Sequence, residues 1–305
     1  MKAVRLNEWG KALQLEDIPQ PEPNDGEVLV RVHAASINPF DAAVQAGYLQ
    51  GMANTPMTLG TDFAGEVVAI GSNITHVKPG DAVYGLSPLG TGAFAEYTTA
   101  KAHEVTHKPK SLDYVSSSVV PLPTMAAWKS LFELLQLKSG ERLLIHGAAG
   151  NVGGLAVQLA KAEGAFVYGM DIPEKAEHVR KLGIDQFISN QERFEDVVMD
   201  VDAILDLVGG DLTDRSYTVL KTGGRYVTSL LQETPQEEPQ RRGIRSMGLA
   251  AWPNADILVK MAERIDSGKV QVFVNRTFPL EEANAAMAYR METKAPGKVV
   301  LTLVN

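Results

Sequence analysis

The sequence predicts an α/β protein in two parts, a partly open β-barrel and a doubly wound parallel sheet. Three observations carry this. The N-terminal third breaks into short apolar or alternating runs separated by Gly, Pro, Asn and Asp clusters, as in Pro21-Glu-Pro-Asn-Asp-Gly26 and Lys78-Pro-Gly-Asp81. After Pro121 the pattern changes to alternating strands and helices, which builds a parallel sheet. Within that second stretch stands the run His146-Gly-Ala-Ala-Gly150-Asn-Val-Gly153-Gly154.

Element by element, strands are expected at Val4–Leu6, Glu27–His33, Gly65–Ile70, Ala82–Tyr84 and Phe94–Thr99. Thr124–Leu137 reads as a helix. Alternation then runs through Leu143–Ile145, Val152–Ala162, Phe166–Met170, Lys175–Leu182, Ala203–Val208, Asp214–Leu220 and Arg225–Leu230. Gln232–Arg245 is strongly polar and reads as a long surface loop. Strands return at Val270–Arg276 and Lys298–Leu303 around a helix at Leu280–Met291. These are expected to rejoin the first domain, giving 1–116 with 270–305 as one domain and 117–269 as the other.

Composition narrows the function classes. A chain of 305 residues has room for about two domains. It has no apolar run long enough to span a bilayer and no apolar signal core at its start. With 29 basic and 37 acidic residues the formal charge is −8, which argues against nucleic acid or an anionic membrane as partner. Cysteine is absent, which excludes disulfides, thiolate nucleophiles and cysteine-ligated zinc and fits a cytoplasmic protein.

The glycine-rich run has the context of a dinucleotide site: an apolar strand before it, a helical pattern after it, and an acid, Asp171, ending the next apolar run. Glycine at 150 and 153 lets backbone approach a pyrophosphate, and the helix N-terminus offers N–H groups and a positive dipole end. The residues expected to hold the cofactor are therefore His146, Gly147, Ala149, Gly150, Asn151, Val152 and Gly153 at the turn, and Asp171, Ile172 and Lys175 beyond the second strand. Leu207, Val208 and Gly209, with Ser229 and Leu230, follow at the ends of later strands. An acid at 171 suits the adenine ribose hydroxyls of NAD(H). A carboxylate about 4 Å from a 2′-phosphate would be repelled by roughly 4 kcal/mol per unit charge at an effective dielectric near 20. NAD(H) is thus favoured. NADP(H) is the alternative, with Lys175 to soften the repulsion or Asp171 turned outward as a helix N-cap.

Several stretches across nearly the whole length resemble the zinc-free, quinone oxidoreductase-like branch of the medium-chain dehydrogenases/reductases. They are Ser36-Ile-Asn38-Pro39-Phe-Asp41, Leu59-Gly-Thr61-Asp62-Phe-Ala-Gly65-Glu-Val, Pro79-Gly-Asp81-Ala-Val-Tyr-Gly85 and Gly92-Ala-Phe-Ala-Glu96-Tyr97. The glycine turn, Phe278-Pro-Leu-Glu281-Glu282-Ala283 and Gly297-Lys298-Val-Val complete the set. The resemblance implies a GroES-like catalytic domain, a Rossmann-type cofactor domain, an active site in the cleft between them, and a homodimer formed through the edge of the cofactor sheet.

In the zinc branch two cysteines and a histidine hold a catalytic metal. The positions that look equivalent here are Asn38, Thr61 and Leu122, which are not competent soft ligands, so no zinc is expected. His103 and His107 are spaced like helix-face ligands but lie in strand and loop, and read as polar surface. Without a metal to form an alkoxide, reduction of a quinone or an α,β-unsaturated carbonyl (enone) by a nicotinamide is the favoured reaction. The resemblance puts Asn38 beside the nicotinamide as hydrogen-bond donor, although Asn38-Pro39 also reads as a structural turn. Tyr48 could offer a phenol to the substrate or cap a helix end against the core. Thr124 matches a position on the nicotinamide side and equally reads as an N-cap. Gln45-Ala-Gly47 stands where the pattern commonly has Arg-x-Gly, which weakens the case for an anionic substrate. Two other functions stay open: a metal-free alcohol dehydrogenase, and a low-turnover, cofactor-binding redox sensor.

Overall fold

The strands Arg142–His146 and Val201–Asp206 lie side by side in a six-stranded, all-parallel sheet. Their centres, Leu143–Ile145 and Ala203–Leu205, are apolar, and every residue from Ala203 to Asp206 and from Leu143 to His146 is buried, as expected of strands covered on both faces. Arg142–His146 is followed by the helix Asn151–Ala162, then come the strand Phe166–Asp171, the short helix Ala176–Lys181 and the strand Gln186–Ser189. The chain returns through Val201–Asp206, the helix Leu212–Val219, Leu220–Thr228 and Arg245–Gly248. In space the order is Gln186–Ser189, Phe166–Asp171, Arg142–His146, Val201–Asp206, Leu220–Thr228, Arg245–Gly248. Strand order therefore reverses beside Arg142–His146, the point at which an open parallel sheet leaves a crevice for a ligand.

This computed structural model describes residues 1–229, 237–250 and 252–303, and its contacts divide the chain into two compact units. The sheet just described lies in the unit formed by Pro123–Trp252 and Lys269–Gln271. The other unit comprises Met1–Leu122, Pro253–Gly268 and Val272–Asn305. It holds a three-stranded sheet of Lys2–Leu6, Gln14–Asp17 and Met57–Thr58, and a seven-stranded sheet centred on Glu27–Ser36. The C-terminal strand Lys298–Thr302 pairs antiparallel with Glu27–Ser36, which pairs in turn with Asp62–Ile70. Val30, Val32, Phe63, Val83 and Phe94, all fully buried, form part of its apolar core.

Several elements differ from the sequence expectation. The polar stretch 232–245 is not one loop: Glu237–Arg241 is helical and Arg245 opens the edge strand, while 232–236 lie outside the described residues. Helix Ala255–Asp266 was hidden between the two predicted blocks, although Asn254 caps it by accepting Asp256 N–H at 2.9 Å. Its buried Ile257, Leu258, Met261 and Ile265 have the helical spacing. It belongs with the first unit rather than with 117–269, because Leu258 accepts the Tyr84 hydroxyl at 2.7 Å and Asp266 accepts the Ser111 N–H at 2.9 Å. The strand predicted at Phe94–Thr99 forms at Tyr97–Lys101, and that predicted at Val270–Arg276 forms at Val274–Pro279. The stretch 124–137 begins earlier, at Pro121, and changes from α-helix to π-helix at Lys129–Leu134. No helix among the described residues is long and apolar enough to cross a membrane.

Candidate active site

The glycine turn joins the first strand of the parallel sheet to its helix. Gly147 adopts φ +81°, open to glycine at little cost, and donates its N–H to Met170 O at 2.9 Å. Gly150 is the helix N-cap. Gly153 is required by close approach: a Cβ there would stand 2.1 Å from Gly147 O and 2.9 Å from Ala148 Cα. The first-turn N–H groups of Asn151, Val152 and Gly153 are those a helix leaves without intrahelical acceptors. This cradle suits the diphosphate of a dinucleotide.

Asp171, at the end of the next strand, is tied to that cradle. Its Oδ2 accepts Ala149 N–H at 2.9 Å, its Oδ1 accepts Ile172 N–H at 2.9 Å, and Lys175 Nζ is 3.7 Å from Oδ1. It does not turn outward as a cap; Ile172 is the N-cap of the following short turn, Pro173–Lys175. Each carboxylate oxygen retains one accepting site for another donor.

Two features of the structure bear on the expected cofactor contacts. The His146 imidazole is sealed in the core, with Nε2 2.9 Å from Ser216 Oγ and the ring in a T-shaped contact with Phe194, and burial lowers its pKa to about 4. Any contact from His146 would have to come from its backbone. Secondly, the N–H groups of Leu207, Val208 and Gly209 are already used: Leu207 donates to His146 O, and Val208 and Gly209 donate to Asp206 Oδ1 at 2.9 and 2.8 Å. Asp206, which the sequence reading passed over, also accepts the Tyr226 hydroxyl at 2.6 Å and so shapes the whole turn. Its signal was an acid ending an apolar strand before Gly-Gly. Ser229 is half-buried and donates its N–H to Asp206 O at 3.1 Å; Leu230 lies outside the described residues.

In the other unit, Asn38 is the N-cap of the helix Pro39–Gln45, the structural role weighed against its expected role as donor. It is 3% exposed. Its Oδ1 accepts Lys298 Nζ at 2.8 Å, its Nδ2 donates to Asp62 Oδ2 at 3.0 Å, and its backbone N–H goes to Asp41 Oδ2 at 2.7 Å. One N–H of the amide lies outside these bonds. Thr61 Oγ1 donates to Asp41 Oδ1 at 3.2 Å, and burial raises the Asp41 pKa to about 6. A small cavity opens beside them, lined by Phe40, Asp41, Val44, Thr61, Ser87 and Leu89 among others. Tyr48 is 49% exposed, so it does not cap the helix against the core. Thr124, in the cofactor unit, lies inside the helix begun at Pro121 rather than at its N-cap. Its hydroxyl is buried without a hydrogen-bond partner among the described residues.

The residues at the zinc positions do not suit that metal. Thr61 offers only a hydroxyl; Leu122 has an alkyl side chain and uses its backbone N–H, which donates to Asp62 Oδ1 at 2.7 Å. Beside Asn38 sits an ammonium, Lys298 Nζ, 2.5 Å from Asp62 Oδ2. His107 bonds Asp81 at 3.2 Å and His103 lies on the surface beside Glu104. Among the described residues no cluster of three or more His, Asp or Glu is arranged for a metal.

Residues 24–110 match the alcohol dehydrogenase GroES-like domain, and 182–301 match a family described as zinc-binding dehydrogenase. The mitochondrial NAD(P)H oxidoreductase RTN4IP1 of Mus musculus is 31% identical over 91% of this chain and 82% of its own. The chloroplastic NADPH-dependent alkenal/one oxidoreductase of Arabidopsis thaliana is 33% identical over 99% and 79%. The structure of the quinone oxidoreductase from Coxiella burnetii superposes with a TM-score of 0.90 at 31% identity, covering 100% of this chain and 99% of that one. A GroES-like unit, a Rossmann-type sheet with its glycine cradle, and relatives of this similarity place the chain in the medium-chain dehydrogenase/reductase family, among its quinone oxidoreductase-like members.

Proposed function

We propose that this oxidoreductase reduces a quinone or an α,β-unsaturated carbonyl without zinc. The observation that carries the reading is the donor set at the zinc positions, an amide, a hydroxyl and an alkyl group with the Lys298 ammonium among them. A bound nicotinamide supplies the hydride. The glycine turn holds the diphosphate through the N–H groups of Asn151, Val152 and Gly153, and Asp171 receives the adenine ribose, which favours NADH. Asn38 donates its remaining N–H to the substrate oxygen, where negative charge grows as the enolate forms. The cavity beside Asp41 and Thr61, rimmed by the exposed Phe40 and Leu89, takes an apolar substrate. The solvent-exposed edge strand Arg245–Gly248 supports pairing of two copies through the sheet edge.

The deciding experiment follows NADH and NADPH oxidation with a quinone, an enone and, in reverse, a primary alcohol, before and after exhaustive chelation. Turnover of quinone or enone that survives chelation is expected. Activity abolished by chelation and restored by zinc would overturn the reading, and so would turnover confined to the alcohol. Cofactor binding without turnover of any of them would favour a redox-sensing role.

A further inference from the structure

Lys298 and Asp62 are both buried, with side chains 1% and 0% exposed. Taking an ammonium and a carboxylate out of water costs several kcal/mol per ion, and such a pair adds little stability over a well-packed apolar pair. Stability alone therefore gives little reason for this pair. Its geometry points to another role. Sheet register puts the participants together: Val300 pairs with Ser36, so continuing the antiparallel ladder brings Lys298 opposite Asn38, and Asp62 pairs with Ser36 on the other side. Asp62 accepts from Lys298 Nζ and Asn38 Nδ2 at Oδ2 and from Leu122 N–H at Oδ1, with the Ser36 hydroxyl 3.1 Å from Oδ2.

We propose that Lys298 is a positioning residue for the reaction, a resident cation that fixes and polarises the Asn38 amide. An amide has two nearly isosteric orientations. In the observed one, oxygen meets ammonium and NH₂ meets carboxylate. The flipped one would set NH₂ against NH₃⁺ and C=O against COO⁻. An ammonium on the carbonyl oxygen also draws charge from the nitrogen, which makes its free N–H a stronger donor, in the manner of cooperative hydrogen-bond chains. The family description implies a zinc ion, whose donor set is missing here. The positive group that bonds Asn38 directly here is Lys298 Nζ.

The inference rests on Asn38 acting as proposed above, and the test separates the two. The enzyme is assayed with NADH and an enone as wild type, Asn38→Ala, Lys298→Met, and Lys298→Met with Asp62→Asn. The last pair is also introduced into Asn38→Ala. The neutral pair removes both charges of the ion pair together and so leaves neither of these two partners unbalanced, which keeps the test open if Lys298→Met alone fails to fold. Expected are a loss in kcat of about 10²-fold for Asn38→Ala and of about tenfold or more for the neutral pair. Cofactor Kd should stay within about twofold, and the neutral pair should cost less than about threefold further in the Asn38→Ala background, the non-additivity of residues acting as one unit. Equal losses in both backgrounds, or an unchanged kcat for the neutral pair, would refute the role of Lys298 alone. An unchanged kcat for Asn38→Ala would remove Asn38 as donor, and Lys298 with it.

Discussion

The Asp171 carboxylate accepts the backbone N–H of Ala149 at 2.9 Å across 22 residues of chain, so the acid that ends the second strand also braces the glycine turn after the first. One side chain thus shapes the cradle and, on the proposed reading, also presents its charge to the adenine ribose. Losing it should affect stability and cofactor preference together.

For Asp171→Ser the unfolding free energy should fall by about 1 kcal/mol, the typical worth of a lost hydrogen bond. The ratio of kcat/KM for NADPH over NADH should rise by about tenfold or more, since repulsion of the 2′-phosphate is relieved. Steady-state kinetics with both cofactors check this. A wild type that already prefers NADPH, with no shift in the variant, would separate Asp171 from the ribose.

Gly153→Ala tests the close approach at the turn. Its Cβ would meet Gly147 O at 2.1 Å, which forces the strand–helix junction apart. A loss of about 1–3 kcal/mol in stability is expected, as for other overpacked sites, together with a cofactor Kd raised by about tenfold or more. Fluorescence titration of NADH and thermal unfolding read the two effects. An alanine variant that binds NADH normally would show that the turn can give way.

His146 contributes a pH dependence whose sign is set by its depressed pKa of about 4. Burial is the main cause, with Arg215 adding to it and Asp206 and Glu195 opposing it. Between pH 4 and 6.5 the unfolded chain binds the proton and the native core does not. The contribution is therefore complete above about pH 6.5 and is lost as pH falls towards 4. Relative to His146→Asn, the wild type should lose about 2 kcal/mol between pH 7.5 and pH 5, at 1.36 kcal/mol per pH unit below the unfolded pKa. Urea unfolding of both proteins at the two pH values measures it. Parallel pH profiles would mean that His146 does not resist protonation in the folded state.

What the sequence determined by itself was local. Arg142–His146, the glycine turn and the helix after it were legible because hydrophobic period, backbone freedom and helix start are properties of contiguous residues. Asp171 was legible as a strand-end acid, and the misfit of Asn38, Thr61 and Leu122 to zinc as a matter of side-chain chemistry. The helix Ala255–Asp266 had the same kind of signal, and the strand–helix alternation simply passed over it. The contacts that give these residues their character were decided elsewhere. Lys298 stands 260 residues from Asn38, and a lysine opening an apolar strand reads as solvent-facing until sheet register sets it against Asn38 and Asp62. Asp206 became the anchor of the 207–209 turn, and His146 a sealed core residue, through Tyr226 and Ser216 on other elements. Periodicity tells which face of a strand is buried. Only the packing of distant strands decides which polar groups meet there, and whether the charge of one is balanced by another.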